Sequence, residues 1–158
     1  DGFAGLVLEA EQLGCDVIAD GAHVHPDWLR LAARTKQSRL ILISDRIDLP
    51  QSASAAPAWL AADRLTSDGV AWRLPDGRLA GSLLTLDAAI RNAASWNVLS
   101  SHGAGAACTL RPARLLGVER QHGTLRPGAR ADLVALSDAG EVIATWVGGR
   151  EVFRAKPR

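Results

Sequence analysis

The apolar residues of the first fifty positions form helical spacings that alternate with short continuous runs. Leu6 to Leu13 is predicted to be a helix that ends at Gly14, and Asp16 to Asp20 a short buried strand. A second helix is expected to begin at Pro26, where the missing N–H would have been unpaired. Leu40 to Ser44 is predicted to be a second strand, and its wholly apolar sequence is typical of a parallel sheet covered on both faces. The pattern therefore predicts an α-β-α-β order.

A hairpin is predicted in the middle of the chain. From Asp48 to Asp68 the residues are rich in Ala, Ser and Pro, which indicates a long loop with a short helix around 58–65. The segments Val70–Leu74 and Arg78–Ala80 flank Pro75-Asp76-Gly77, which is a turn signal in which glycine supplies a positive φ. We therefore expect two antiparallel strands here.

Helical spacing of apolar residues also predicts which faces point inward. In the helix that begins at Pro26, the inward residues are predicted to be Trp28, Leu31, Ala32 and Thr35. A later helix, capped by Ser82 or Thr85, is marked by Leu86, Ala89, Ile90 and Ala93. A last helix is expected from about Gly105 to Leu116, with Pro112 at the start of a new helical segment.

The last forty residues favour a small β module. Strands are predicted at Asp132–Leu136, Val142–Val147 and Glu151–Phe153, the last two joined through Gly148-Gly149. We expect residues 123–158 to form this module and residues 1–122 the α/β part.

Composition narrows the class of protein. With 158 residues and 47% hydrophobic content the chain can bury a core, and its net charge of +1 with scattered basic residues indicates no nucleic-acid partner. No apolar run is long enough to cross a bilayer, and no signal peptide is visible. Cys15 and Cys108 are isolated and are expected to be reduced, so a cytoplasmic location is predicted. The chain begins Asp1-Gly2-Phe3 and contains no methionine, and we expect it to be part of a longer polypeptide.

Polar groups able to transfer protons follow both predicted strands. His23 comes after the first strand and Asp45 ends the second, as catalytic residues do at the C-terminal ends of barrel strands. His23 and His25 would share one face of a strand and form a metal pair. Pro26, however, favours His25 as a helix-entry residue and leaves His23 as the functional histidine. Asp20 is expected to organise the turn before His23.

Asp45 has two interpretations. It is either a cap of a helix or turn, or a general base or metal-contacting carboxylate at the mouth of a barrel. An ordinary carboxylate, with a pKa of about 3.9, deprotonates water readily only when a metal has lowered the pKa of that water to about 7. Leu79, Ala80, Gly81 and Ser82 precede a helix, so they form either a structural turn or a site whose N–H groups bind a polar or anionic substrate.

An ordered set of motifs resembles the N-acetylglucosamine-6-phosphate deacetylases of the amidohydrolase superfamily. The set spans nearly the whole chain and comprises Ala19-Asp-Gly-x-His-Val-His25, the strand ending in Asp45, Gly77-x-Leu-Ala-Gly-Ser-x-Leu-Thr85, Arg91-Asn92, Thr109-x-x-Pro-Ala-Arg-x-Leu-Gly117 and Gly123-Thr-Leu-x-Pro-Gly-x-x-Ala-Asp-Leu133. The resemblance implies an α/β fold, namely the C-terminal part of a (β/α)8 TIM-type barrel plus strands of a small β-sandwich domain. By the same resemblance Asp16–Asp20 and Leu40–Asp45 are the seventh and eighth barrel strands.

The resemblance also implies a reaction and its residues. The reaction is hydrolysis of the acetamide of N-acetylglucosamine 6-phosphate to glucosamine 6-phosphate and acetate. Asp45 would be the acid/base and a possible metal contact, His23 would polarise the acetamide carbonyl, and the Leu79–Ser82 turn would line the sugar pocket. The cofactor would be a divalent metal, zinc or iron, and the full-length enzyme would be a homodimer.

Two departures from the family pattern limit these implications. The family's metal ligands, a glutamate and two histidines, have no counterparts here, so the isolated chain is expected to be inactive. Arg46 stands where small or apolar residues are usual, and it would either pair with Asp45 or point into solvent. The alternatives are another amidohydrolase acting on a different amide or a cyclic ureide, and a non-catalytic truncated chain that needs a partner.

Overall fold

A computed structural model describes residues 2–49 and 65–156 of the chain. Within these ranges the helices and strands are α1 (Phe3–Glu9), β1 (Cys15–Ile18), α2 (Pro26–Lys36), a short 3-10 helix (Gln37–Arg39), β2 (Leu40–Ile43), β3 (Thr66–Ser67), β4 (Ala71–Arg73), β5 (Leu79–Ser82), α3 (Leu86–Ser95), α4 (Ser101–Cys108), α5 (Leu110–Leu115), β6 (Leu133–Leu136), β7 (Val142–Val147) and β8 (Arg150–Arg154). The predicted α/β class and the α-β-α-β order at the start are confirmed.

Strands β1 and β2 pair in parallel, and their ends define one edge of the fold. Cys15 lies opposite Leu40, and Ile18 lies opposite Ile43. Leu40 and Leu42 are among the most buried side chains of the core, as expected for a strand covered on both faces. Because both strands run in the same direction, the segments that follow Ile18 and Ile43 leave the sheet at the same edge.

Helix α2 begins at Pro26 as predicted, but its buried face is rotated by one position from the predicted one. Its buried residues are Leu29, Ala32, Ala33 and Lys36, whereas Trp28 is 61% exposed. The spacing of apolar residues fits the predicted face and the observed face equally well. The observed face contains Lys36, a residue type that is seldom buried. Lys36 is tolerated inside because its Nζ donates a hydrogen bond to the carbonyl of Ala10 at 2.6 Å.

Two other helices differ from their predicted bounds. Helix α1 ends before Ala10 rather than at Gly14, because the Ala10 backbone turns to an extended conformation and its carbonyl accepts from Lys36. The helix predicted over 105–116 is two helices that break at Thr109. The first N–H groups of a helix need no intrahelical partner, so Pro112 fits the first turn of α5 and the break precedes it.

The predicted hairpin is confirmed and is attached to the segment that follows β2. Strands β3, β4 and β5 form an antiparallel sheet in that order, and Gly77 at the turn has a φ of 84°. Arg46 forms a parallel bridge with Ser82. The hairpin therefore lies beside the chain that leaves β2.

Helices α3 and α4 cover the parallel strands with small residues. Ala89, Ala93, Ala104 and Ala107 are fully buried in one core with Leu29, Leu40 and Leu42. Beyond α5, strands β6, β7 and β8 form the predicted antiparallel module. Both cysteines are free, and burial raises the pKa of the Cys108 thiol to about 11.

One predicted element, a short helix, falls mainly on residues that the structure does not describe. The short helix expected around 58–65 lies almost wholly among residues that are not described. Within 2–49 and 65–156, no helix is both long enough and apolar enough to cross a bilayer.

We expect Leu29→Ala to lower the free energy of unfolding by about 2–5 kcal/mol, because the side chain is fully buried and its loss leaves a cavity. Leu31→Ala on the same helix is the control. Its side chain is 41% exposed, so we expect a loss of about 1 kcal/mol or less. Urea unfolding of both variants checks this, and equal losses would contradict the observed face of α2.

Candidate functional site

The two loops that follow the parallel strands bring together the predicted His23 and Asp45. His23 Nε2 lies 3.8 Å from Asp45 Oδ2. The His23 side chain is 16% exposed and the Asp45 side chain 51% exposed, so both reach solvent from the same edge of the sheet. An imidazole and a carboxylate placed in this way can act on one bound molecule.

Asp20 holds His23 in place through a buried carboxylate. The backbone N–H groups of Ala22 and His23 each donate to Asp20 Oδ1 at 2.9 Å. His23 Nδ1 and the Ser82 hydroxyl each lie 2.7 Å from Asp20 Oδ2. The predicted role of Asp20 in organising the turn is confirmed, and the contact with the ring extends that role. We call this arrangement the Asp20–His23–Ser82 network.

The network keeps Asp20 ionised although its side chain is only 1% exposed. Burial by itself would raise the pKa of Asp20, but the hydrogen bonds from the His23 backbone, Ser82, the His23 ring and Ala22 outweigh burial and lower it. An ionised carboxylate is acceptor-only, which matches the two backbone N–H groups and the Ser82 hydroxyl that donate to it.

The backbone at Asp45 is fixed by strand β5. Asp45 has a φ of 47°, in the left-handed region that non-glycine residues seldom adopt. Its carbonyl accepts from the Ser82 N–H at 2.8 Å, and the Ile47 N–H donates to the Ser82 carbonyl at 3.0 Å. These two bonds hold the chain on either side of Arg46, so the conformation that aims Asp45 at His23 depends on β5.

Leu79 and Ala80 lie in the second hairpin strand, as predicted, but this strand, β5, continues through Gly81 and Ser82, for which a turn was one interpretation, because both residues pair with β4. Leu79 and Ala80 are half-buried, and Gly81 and Ser82 are buried. The Ser82 hydroxyl donates to Asp20 and accepts from the Leu84 N–H at 3.0 Å. The hydroxyl therefore has partners within the protein, and contact of this segment with substrate stays a prediction.

Arg46 does not pair with Asp45, and although the residue is exposed, as the alternative predicted, its guanidinium has partners within the protein. Its guanidinium binds Asp48, with Nε 2.8 Å from Asp48 Oδ1, and also donates to the carbonyl of Leu83. It thus joins the segment after β2 to the residues after β5, and Asp45 is left to face His23.

His25 serves helix α2, as its neighbour Pro26 predicted. It is the N-cap residue, and its Nδ1 accepts from the Asp27 N–H at 3.3 Å. Its ring is 68% exposed. The structure thus gives His25 a capping contact and His23 the contacts of the network.

Asn92 supports the site in a way that spacing did not predict. Its side-chain amide donates to the carbonyl of Ala19 at 2.8 Å and so holds the end of the chain that enters the Asp20 turn. The bond joins residues 73 positions apart, and no local pattern indicates it.

The described residues do not make a complete metal site. Within 2–49 and 65–156, no group of three or more His, Cys, Asp or Glu side chains is placed to hold an ion. Near Asp45 the Asp20 oxygens and His23 Nδ1 are already hydrogen-bonded. Asp45 and His23 Nε2 remain as two groups, fewer than the three or four protein ligands of a typical site.

Sequence comparisons relate the chain to known hydrolases. Residues 8–152 match the model of the amidohydrolase family. A putative N-acetylgalactosamine-6-phosphate deacetylase of Escherichia coli (strain K12) is 34% identical over 149 residues, which cover 94% of this chain and 89% of that protein. The N-acetylglucosamine-6-phosphate deacetylase of Homo sapiens is 35% identical over 140 residues, covering 88% of this chain and 34% of that protein.

Solved structures agree with the fold. The crystal structure of N-acetylglucosamine-6-phosphate deacetylase from Pasteurella multocida matches with a TM-score of 0.81 at 22% identity, covering 93% of this chain and 38% of that chain. The corresponding Thermotoga maritima structure matches with a TM-score of 0.79 at 26% identity, covering 98% and 42%. Apart from the strain K12 protein, the chain spans about two fifths or less of the length of these proteins.

We expect Gly81→Ala to destabilise the protein and to displace the segment that carries Asp45. Gly81 has a φ of 155°, and a Cβ there would lie 2.4 Å from Ile47 Cδ1 and 2.8 Å from Ile47 Cγ1. Gly77→Ala is the control, since its φ is also positive but a Cβ would meet no atom within 4 Å. The clash should cost about 1–3 kcal/mol beyond the control. Urea unfolding and the Asp45 amide resonance check this, and equal effects of the two variants would contradict it.

We expect acid to destabilise the protein partly through Asp20. The pKa of Asp20 is lower in the folded state than its usual 3.8, so its contribution is complete above that value and is lost as the pH falls through the folded pKa. Asp20→Asn removes this contribution, and its free energy of unfolding should fall less steeply below about pH 4. Urea unfolding as a function of pH measures both slopes; parallel slopes would show that folding leaves this carboxyl unaffected.

Proposed function

Since this chain belongs to the amidohydrolase family, we propose that it carries part of the active site of a deacetylase that hydrolyses the acetamide of an N-acetylhexosamine 6-phosphate. The products are acetate and the free amino sugar phosphate. The observation that carries the proposal is the 3.8 Å approach of His23 Nε2 to Asp45 Oδ2 at the carboxyl ends of two parallel strands.

Asp45 is the proposed acid/base of this reaction. A water oxygen attacks the acetamide carbon while the Asp45 carboxylate takes a proton from that water. The C–N bond then breaks, and Asp45 returns the proton to the departing amine nitrogen. The partial exposure of Asp45 is compatible with this role, because the carboxylate has to reach both the water and the amine.

His23 is the proposed electrophile. When its Nε2 bears a proton, it donates to the carbonyl oxygen, on which negative charge develops during the attack. Residues Leu79, Ala80, Gly81 and Ser82 are the proposed wall of the sugar pocket. This assignment is supported by the position of these residues beside Asp45, which follows from the backbone hydrogen bonds between Ser82 and the segment after β2.

We place β1 and β2 as the seventh and eighth strands of a (β/α)8 barrel, with residues 1–122 in the barrel part. Residues 123–158 would contribute β6, β7 and β8 to a β-sandwich domain. The parallel pairing of β1 with β2 and the separate antiparallel sheet support this division.

The amidohydrolase family generally uses a divalent metal, and zinc or iron is the candidate here. The described residues do not fit a complete site, so the main ligands would have to be other residues, with Asp45 a possible contact. The steps above are assigned to this chain's own residues for that reason. Homodimer formation and a cytoplasmic location stay expectations.

The names of the relatives divide between two sugars that differ at one carbon. Proteins named for N-acetylgalactosamine 6-phosphate are 31–34% identical to this chain, and those named for N-acetylglucosamine 6-phosphate are 33–35% identical. We retain N-acetylglucosamine 6-phosphate as the predicted substrate and treat its galacto epimer as the second candidate.

We expect Asp45→Asn to lower the rate of acetate release by about 10²- to 10⁴-fold, because an amide cannot accept the proton of the attacking water. The full protein that carries this chain is assayed with each 6-phosphate and with divalent metal added. Asp76→Asn, in the exposed hairpin turn, is the control and should keep the wild-type rate.

Each outcome of this assay is decisive. Acetate release from one epimer identifies the substrate. Lack of release from both would overturn the proposed deacetylase, and hydrolysis of a different amide or of a cyclic ureide would establish the alternative. A wild-type rate in Asp45→Asn would overturn the role of Asp45 alone.

A further inference from the structure

The buried contact between Asp20 and the His23 ring fixes more than the position of the ring. His23 Nδ1 lies 2.7 Å from Asp20 Oδ2, and one of these two atoms must supply the hydrogen. A neutral imidazole carries a proton on one of its two nitrogens, and the partner of the other nitrogen decides which one.

The other donors around Asp20 assign this hydrogen to the ring. Asp20 Oδ1 already accepts two backbone N–H groups, from Ala22 and His23. Oδ2 accepts the Ser82 hydroxyl, which has a single hydrogen and itself accepts from the Leu84 N–H. A protonated Asp20 would have to place its own hydrogen among these donors, whereas an ionised Asp20 satisfies all of them.

We propose that Asp20 is a positioning residue that holds His23 in the tautomer protonated at Nδ1, so that Nε2 is the nitrogen presented beside Asp45. The Ser82 hydroxyl donates to the same oxygen, Asp20 Oδ2, and its residue is fully buried on strand β5. The carboxylate is 1% exposed, so water does not compete for the ring N–H.

The catalytic meaning of this tautomer rests on the proposed function. With Nδ1 committed to the ionised Asp20, a ring that also carries a proton on Nε2 is a cation balanced by this carboxylate, and it donates a charge-assisted hydrogen bond to the carbonyl oxygen. In the opposite tautomer the lone pair of Nδ1 would face an anionic oxygen at 2.7 Å, which is repulsive.

The tautomer is measurable without any substrate. Two-bond ¹H–¹⁵N correlation spectra of histidine-labelled protein are recorded at a pH above the titration of the ring, located in the same experiment. We expect a pyrrole-type Nδ1 and a pyridine-type Nε2 in the wild-type protein. A pyrrole-type Nε2 would overturn the proposal without reference to any variant.

Asp20→Asn tests the cause. An asparagine whose oxygen keeps the Ala22 and His23 N–H bonds must place its NH₂ group where Oδ2 was, and there it donates to Nδ1. We therefore expect the tautomer to reverse. Asp16→Asn removes an exposed carboxylate from strand β1, which precedes the Asp20 turn, and should leave the wild-type tautomer. Ser82→Ala removes the other bond to Oδ2 and should also leave it.

Turnover separates this inference from the proposed function. In the full protein we expect Asp20→Asn to lower kcat by about tenfold, because a neutral Nε2–H without the Asp20 charge donates a weaker hydrogen bond to the carbonyl oxygen than a charged ring does, with a much smaller change in KM. A reversed tautomer with unchanged kcat would overturn the catalytic meaning. An unchanged tautomer in folded Asp20→Asn would overturn the positioning role. Failure of the deacetylase assay would leave the spectroscopic result to decide the role of Asp20.

Discussion

A carboxylate that is removed from water is stable in its ionised form only when donors replace the lost hydration, and Asp20 meets this requirement with four hydrogen bonds. The donors come from the turn after β1 and from strand β5, which are about sixty residues apart in sequence. Loss of any of them would leave an oxygen of a buried anion with one hydrogen-bond partner instead of two. The position of His23 depends on this condition, and so does the attachment of the hairpin to the parallel strands.

Strand β5 supports both halves of the site at once. Through its hydroxyl, Ser82 binds Asp20, and through its backbone it binds the residues on either side of Arg46. Gly81 permits this approach because a side chain there would meet Ile47. A strand that holds two loops by separate bonds couples their geometry, so a change in the hairpin is expected to move Asp45 and His23 relative to each other.

Helix α2 and the hairpin show which structural features local sequence patterns predict and which they do not. Pro26 correctly predicted the start of α2, because the fixed φ and missing N–H of a proline suit the first helical position. Gly77 correctly predicted the hairpin turn, because glycine adopts the positive φ that the turn requires. The inward face of α2 was wrong by one position. Its buried Lys36 depends on the carbonyl of Ala10, a partner that the helix itself does not contain.

The sequence by itself determined the α/β order, the presence of His23 and Asp45 after two parallel strands, and the role of His25 at the entry to α2. These follow from hydrophobic periodicity and from residues that act on their immediate neighbours. Only the tertiary structure decided that strand β5 continues through Gly81 and Ser82, that Arg46 binds Asp48 and that Asp20 shares its carboxylate between the His23 ring and Ser82. Each of these depends on which groups are buried together after the chain folds, because hydrogen bonds between distant segments leave no periodic trace in the sequence.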